Sequence, residues 1–188
     1  MRWPTVVVLG AAALAGGCGA SVPAGVAPIG RGPGYELASL TRATAAGQPL
    51  GALSCGAPGT RPAAWVHVEL FARGRVVLLP PGIGIAPPRR AQGAYVRGGR
   101  CRYPLWTDEP TGLVAVGRAG LTLDDLFRVW GRDLSATGAA GFKGPVIVHV
   151  DGRRQAGDPG AVALTPHAQI VLQVGGPLVP PHAEYTFP

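Results

Sequence analysis

Thr122-Leu123-Asp124-Asp125-Leu126-Phe127-Arg128-Val129-Trp130-Gly131 is the stretch that decides the fold. Thr122 is an N-cap residue, and Asp125 stands three positions on, in the capping-box place. Leu121 before the cap and Leu126 after it have the spacing of a hydrophobic staple. Leu123, Leu126, Phe127 and Trp130 fall at i, i+3, i+4 and i+7, which makes one apolar stripe along a helix. Gly131 stops the helix where a left-handed residue is needed. The spacing predicts one amphipathic helix over 123–130, and its stripe requires a sheet to pack on. Trp130 is read as core.

Strand signals lie on both sides of the helix. Trp65-Val66-His67-Val68-Glu69-Leu70-Phe71 alternates strictly, so Val66, Val68 and Leu70 face one way and Trp65, His67, Glu69 and Phe71 the other. Arg73-Gly74 reads as a turn, with the chain returning over 75–79. Pro80-Pro81-Gly82 through Pro87-Pro88 reads as a stiff loop that no central strand accepts. Residues 103–112 read as a loop carrying Trp106, Asp108 and Glu109. Residues 113–116 read as a strand. After the helix come a β-branched run over 146–150 with an Asp151-Gly152 turn, a short strand over 161–164, and a last strand over 169–174. The order predicts an α+β domain: a mixed β-sheet with one principal helix.

The N-terminus carries a different signal. Arg2 precedes an apolar run over 6–15, too short for the ~20 residues a bilayer requires but suited to the core of a signal peptide. Leu14-Ala15-Gly16-Gly17-Cys18 resembles a lipobox, although the Leu sits one place further out than usual. The expected organisation is a signal peptide over 1–17, a lipid-bearing Cys18, a Gly/Ala/Pro tether over 18–34 and a single globular domain over 35–188. An extended Pro-rich tail begins at 177. Plain secretion with cleavage after Ala20 is the alternative. Lipidation would place the domain on the outer face of the cytoplasmic membrane.

With Cys18 lipidated, Cys55 and Cys101 remain of the three cysteines. An oxidising compartment makes such a pair a disulfide, and their spacing fits no zinc motif. The chain has 30 Gly, 20 Pro and only 14% charged residues, which favours short strands and turns over long helices. Its net charge is +7, and Lys143 is the one lysine among 17 basic residues. The arginines are spread along the sequence with no evident run interleaved with aromatics, which argues against a nucleic-acid partner. A basic domain held near the membrane fits attraction to anionic lipid or cell-envelope polymer.

Two resemblances extend this reading. Residues 111–175 run strand, helix, strand, then last strand, and in that order they resemble sulfur-carrier and related ubiquitin-like domains, which implies a β-grasp-like C-terminal part. Gly175-Gly176 is similar to the carriers' diglycine, but twelve residues follow it. Acyl-adenylate chemistry needs a free terminal carboxylate, so that activity is not expected. Residues 65–178 also resemble uncharacterised exported actinobacterial lipoproteins with a His-x-His strand, a His-Thr-His-Asp loop and a Thr-Leu-Gly-x-Phe-Phe-x-x-Trp-Gly helix. The helix, Thr111-Gly112 and Ile170-Val171-Leu172 match. Trp65 and His67 replace His-x-His, and Leu105-Trp106-Thr107-Asp108-Glu109 lacks both loop histidines. The resemblance implies a metal site in relatives, mostly lost here.

Candidate chemistry is correspondingly thin. His67 and Glu69 share a strand face, and Asp108 could add a third ligand to a divalent metal. Against that, two ligand-type residues on one strand are common by chance. His149 reads as a core or edge histidine, and His167 and His182 have no partner nearby in sequence. No Gly-x-Ser-x-Gly turn occurs. Asp108-Glu109 and Asp124-Asp125 read as turn and helix-start residues. The expectation is a membrane-anchored, non-catalytic binding or envelope-structural domain without a cofactor. A metal-handling lipoprotein is the alternative, and a hydrolase the third reading.

Overall fold

The computed structural model of the chain describes residues 45–57 and 61–188. The signal segment, Cys18, the tether and the start of the expected domain at 35–44 lie outside them. The elements are β1 (Ala64–Ala72), β2 (Arg75–Val77), β3 (Arg90–Gln92), β4 (Tyr95–Gly98), β5 (Leu105–Trp106), β6 (Leu113–Val116), α1 (Leu123–Trp130), β7 (Leu134–Ser135), β8 (Gly138–Ala139), β9 (Phe142–Lys143), β10 (Val146–Val150), β11 (Arg153–Gln155) and β12 (Gln169–Val174).

The helix ends are built as their residues dictate. The Thr122 hydroxyl accepts from the Asp125 N–H, while the Asp125 carboxylate accepts from the Thr122 N–H at 3.1 Å. Gly131 takes the left-handed conformation at φ 72°. Its N–H donates to the Arg128 carbonyl, and the Arg132 N–H donates to the Phe127 carbonyl. This pair of bonds satisfies carbonyls that the last turn would otherwise leave open.

The principal sheet has seven strands in the order β11-β10-β12-β1-β6-β5, with β2 also paired to β1. β1 and β12 run parallel from His67↔Gln169 to Ala72↔Val174, and the other pairs in this sheet are antiparallel. The fold is therefore α+β with a mixed sheet. Among the described residues the first and last strands lie side by side at its centre, and the one α-helix lies between β6 and β10 in sequence, which is a β-grasp-like arrangement. It extends further than the 111–175 stretch, because the central parallel partner of β12 is β1, well upstream.

Membership of the main core follows the alternation of β1, although His67 and Phe71 on its other face are also buried. Val66, Val68 and Leu70 share one cluster with Val114 and Val116 of β6, Val148 of β10, and Ile170, Leu172 and Val174 of β12. Leu123, Leu126, Phe127 and Trp130 of α1 complete it. The helix stripe and one sheet face thus make a single core. A smaller cluster of Ile85, Val96, Trp106 and Ala115, with Trp65 against it, forms where the segment around β3 and β4 packs on β5 and β6.

Several expectations change. Trp106 lies in β5, paired with Ala115, and is not part of an irregular loop. The 161–164 strand is replaced by a 3-10 turn over Pro159–Ala161 and an isolated bridge between Thr122 and Ala163. Pro159 starts the turn, and the Asp158 carboxylate accepts from the Gly160 N–H at 2.9 Å. The β3-β4 hairpin and the β7-β8-β9 meander were not anticipated.

Cys55 and Cys101 form a disulfide across 46 positions, with Cα atoms 5.5 Å apart. Backbone bonds between Gly56 and Arg102 in both directions lie beside it. The bond ties the 45–57 segment to the base of the β3-β4 hairpin.

Two outcomes follow for stability. Phe127 is 1% exposed, so Phe127→Ala is expected to cost about 3 to 5 kcal/mol in transfer and cavity terms. An unfolding midpoint shifted by less than a third of that would place the stripe outside the core. Loop-closure entropy for the disulfide is ~4 kcal/mol before strain. Cys55→Ala with Cys101→Ala is expected to lower stability by about 2 to 4 kcal/mol, and thiol titration of the denatured, unreduced chain should find neither of these cysteines free.

Candidate functional site

The β3-β4 hairpin gathers arginines that are scattered in the sequence. Arg89 and Arg90 precede or begin β3, Arg97 lies on β4, and Arg100 and Arg102 follow it. The strands pair with a register shift between Arg90 and Ala91, and every residue from Arg90 to Tyr95 is exposed. Little apolar cover holds this hairpin down, so its root must be fixed by other means. Arg89 Nε donates to the Ile85 carbonyl at 2.6 Å. Arg100 donates to the Ala46 carbonyl. Arg102 pairs with Asp108 at 3.2 Å and lies over the Trp106 ring, 5.2 Å from its centroid. The Val96 N–H donates to the Asp108 carbonyl at 2.8 Å.

These contacts leave Arg90 and Arg97 as the outward charges of the hairpin. The Arg97 guanidinium sits 4.4 Å from the centroid of the Tyr95 ring, an exposed aromatic at 39%. The nearby carboxylate, Asp108, is already engaged by Arg102 and by the Trp106 indole N–H. A positive surface with a stiff base and little acid around it is suited to phosphate or carboxylate, since guanidinium can donate in pairs to either. The expectation that no element concentrates basic residues is corrected here. Arg89-Arg90-Ala91-Gln92-Gly93-Ala94-Tyr95-Val96-Arg97 carries a Gly-centred turn between two basic arms, and that signal was present in the sequence.

The metal candidates are distributed differently. Thr111 contributes only a carbonyl to His67, at 2.7 Å, so His67 Nε2 carries the proton and donates. His67 Nδ1 lies 2.7 Å from the oxygen of the Gln169 amide, whose nitrogen is buried without a partner. Exchanging the amide ends lets that nitrogen donate to Nδ1 and removes the orphan. Both ring nitrogens are then used in holding β1 to β12 and to the loop before β6. Glu69 faces His182 from the tail, with both carboxylate oxygens 2.9 Å from Nδ1. Asp108 belongs to the arginine hairpin. The structure therefore does not bring His67, Glu69 and Asp108 together. Among the described residues no three His, Cys, Asp or Glu side chains gather as ligands.

The tail itself went unread as a partner of the sheet. Residues 177–188 cross the face opposite α1. The Gln173 amide accepts from the Val179 N–H at 2.7 Å and donates to the Val179 carbonyl at 3.0 Å. Tyr185 stacks on His67 with centroids 3.8 Å apart, and Phe187 packs on His167 at 5.0 Å. His182 and His167 thus have partners that proximity in sequence could not reveal. His149, also on this face, is held below the ordinary histidine range by burial and by the Arg154 guanidinium. It is correspondingly neutral near pH 7.

An open cleft of about 530 Å³ lies between the end of β11 and the 3-10 turn, lined by Val150, Gln155, Asp158, Val162 and Thr165 among others. Asp158 is the one ionisable side chain in that lining, and it is spent on capping the turn. The cleft offers no acid and base pair. Among the described residues no helix is long and apolar enough to cross a membrane. No protein-family model, no curated protein and no solved structure matches this chain.

Proposed function

We propose that the protein is an exported lipoprotein, anchored through Cys18 on the outer face of the cytoplasmic membrane, with a non-catalytic domain that binds anionic groups. The β3-β4 hairpin is the contact surface, and Arg90 and Arg97 are its leading charges. The observation that carries this reading is their exposure on a hairpin whose base is fixed by the Cys55–Cys101 disulfide and the Arg102–Asp108 pair. The disulfide also fits an oxidising compartment. The ligand chemistry is phosphate or carboxylate presented on a surface, supplied by lipid headgroups or by an envelope polymer. The tether expected over 18–34 would keep the domain within reach of both.

Two experiments test this. Cys18→Ala should move the protein from the membrane fraction to soluble or unprocessed forms, with loss of the mass of the lipid. Retention in the membrane with no change of mass would end the lipoprotein reading. For the hairpin, the probes are vesicles containing phosphatidylglycerol and, separately, a soluble phosphate-bearing polymer. Each basic residue near an anionic surface contributes ~1 kcal/mol, so Arg90→Gln with Arg97→Gln should weaken binding by about 10- to 30-fold at low salt, with wild-type binding falling as salt rises. Vesicle binding alone identifies headgroups as the source, and polymer binding alone identifies the envelope. Equal binding by variant and wild type would remove the hairpin from the site.

A further inference from the structure

We propose that the sheet face opposite α1 is a binding site for an extended, proline-containing peptide, and that residues 177–188 are its tethered occupant. Three of the tail's contacts, at Val179, His182 and Tyr185, are spaced by three residues, and Phe187 on His167 adds one outside that spacing. Gln173 satisfies both backbone groups of Val179. Glu69 takes His182. His67 takes the Tyr185 ring at 3.8 Å, with the planes inclined by 10°. A polyproline II helix has three residues per turn and no internal hydrogen bonds, so every third residue shares one face. Pro180 and Pro181 hold φ in the range that conformation needs. The tail has no regular secondary structure, and its anchor spacing is that of such a helix laid across strands.

The receiving groups are built into the sheet. With the tail in place, Gln173 is 2% exposed and His67 is 5% exposed. His67 is held by Thr111 and Gln169, neither of which belongs to the tail. Gln173 reads backbone, so it tolerates any side chain at the first anchor. Glu69 and His67 read a basic or hydrogen-bonding group and an aromatic ring at the second and third. Gly152 allows close approach between these last two anchors, since a Cβ there would lie 2.8 Å from that of Ala183. A fixed surface with one backbone reader and two side-chain readers is the arrangement of a peptide-recognition site.

The occupant, by contrast, is loosely held. No residue of 177–188 is fully buried, whereas all six of β12 are. Segments with few buried contacts open locally well below the cost of global unfolding. A tethered segment competes with an outside ligand at an effective concentration in the ~mM range, so the site is closed to weak ligands and open to ones that beat the tail.

The test keeps the full chain and weakens only the tail's own anchors. The probe is a labelled synthetic peptide spanning 177–188. His182→Ala with Tyr185→Ala in the protein should raise affinity for the probe at least tenfold over the unaltered chain. Adding Gln173→Ala should cancel that gain, and a probe with Ala at both 180 and 181 should bind at least fivefold more weakly. Equal affinity in the unaltered chain and the double variant, or no saturable binding to either, would overturn the proposal. Hydrogen exchange on the unaltered chain gives an independent reading. The Val179 amide should exchange well before the amides of β12, and exchange only in step with them would make the tail a fixed part of the fold and overturn the proposal.

Discussion

Everything in this structure depends on the parallel pairing of β1 with β12. Val68 meets Ile170 and Leu70 meets Leu172, joining residues about a hundred positions apart. β12 has β10 on one side and β1 on the other, and all six of its residues are buried. Among the described residues it is the last strand in sequence, yet it occupies the centre. Until it inserts, β10-β11 and β1-β2-β6-β5 are two separate pieces, and the helix has only part of its floor. Ordering so much chain before the central contacts form is entropically costly, which leaves the partial sheets with little to hold them. The disulfide restricts the part of the chain from 55 to 101, which holds β1 to β4.

Completing the centre creates two faces with different solutions. On the α1 side the helix stripe packs into the main core together with residues of irregular segments such as Leu53, Ile83 and Tyr103. Among the described residues no helix covers the opposite face. Its β5-β6 half is closed by Ile85 and Val96, from the loop and hairpin that carry the arginines, against Trp106, Ala115 and Trp65. Its β1-β12 half is closed by the tail, and there the sheet presents His67, Glu69, Gln169 and Gln173. Polar groups on a covered face require partners. His67 and Gln169 find them in each other and in Thr111, Glu69 in the His182 ring, and Gln173 in the tail backbone. Both proposed binding surfaces belong to this second face: the arginine hairpin covers one half of it, and the sheet under the tail is the other.

The parts of this architecture visible in sequence are those specified locally. Capping, staple, stripe and C-terminal glycine all lie within residues 121–131, and each acts within one or two turns. β1 shows because it is long enough to alternate and because one of its faces is buried. The β3-β4 hairpin leaves only the Gly93 turn between two basic arms as its mark, because residues 90–95 are exposed and carry no apolar period to detect. The strands of the β7-β8-β9 meander have two residues each, too short for any period. Trp106 was misassigned since a two-residue edge strand between Pro104 and Asp108 looks like loop. The tail contacts were invisible for another reason: His182 meets Glu69 across 113 positions, and nothing local to either residue encodes that.

His67 and Glu69 also show why residue type alone is a weak guide to chemistry. Both have side chains that bind metals, and both stand on one strand face at ligand spacing. Burial decides their use. His67, 5% exposed, must satisfy two ring nitrogens without water, and the nearest groups are a carbonyl that only accepts and an amide that can do either. Once bonded to them it fixes the register of β1 against Gln169 on β12, because a one-residue slip would turn it to the apolar face and strand both nitrogens. The residue that reads most like a ligand in the sequence is thus a register pin in the fold. Its flat ring face, which the pinning leaves uncovered by the sheet, is what remains to be offered to something outside, and Tyr185 is what takes it.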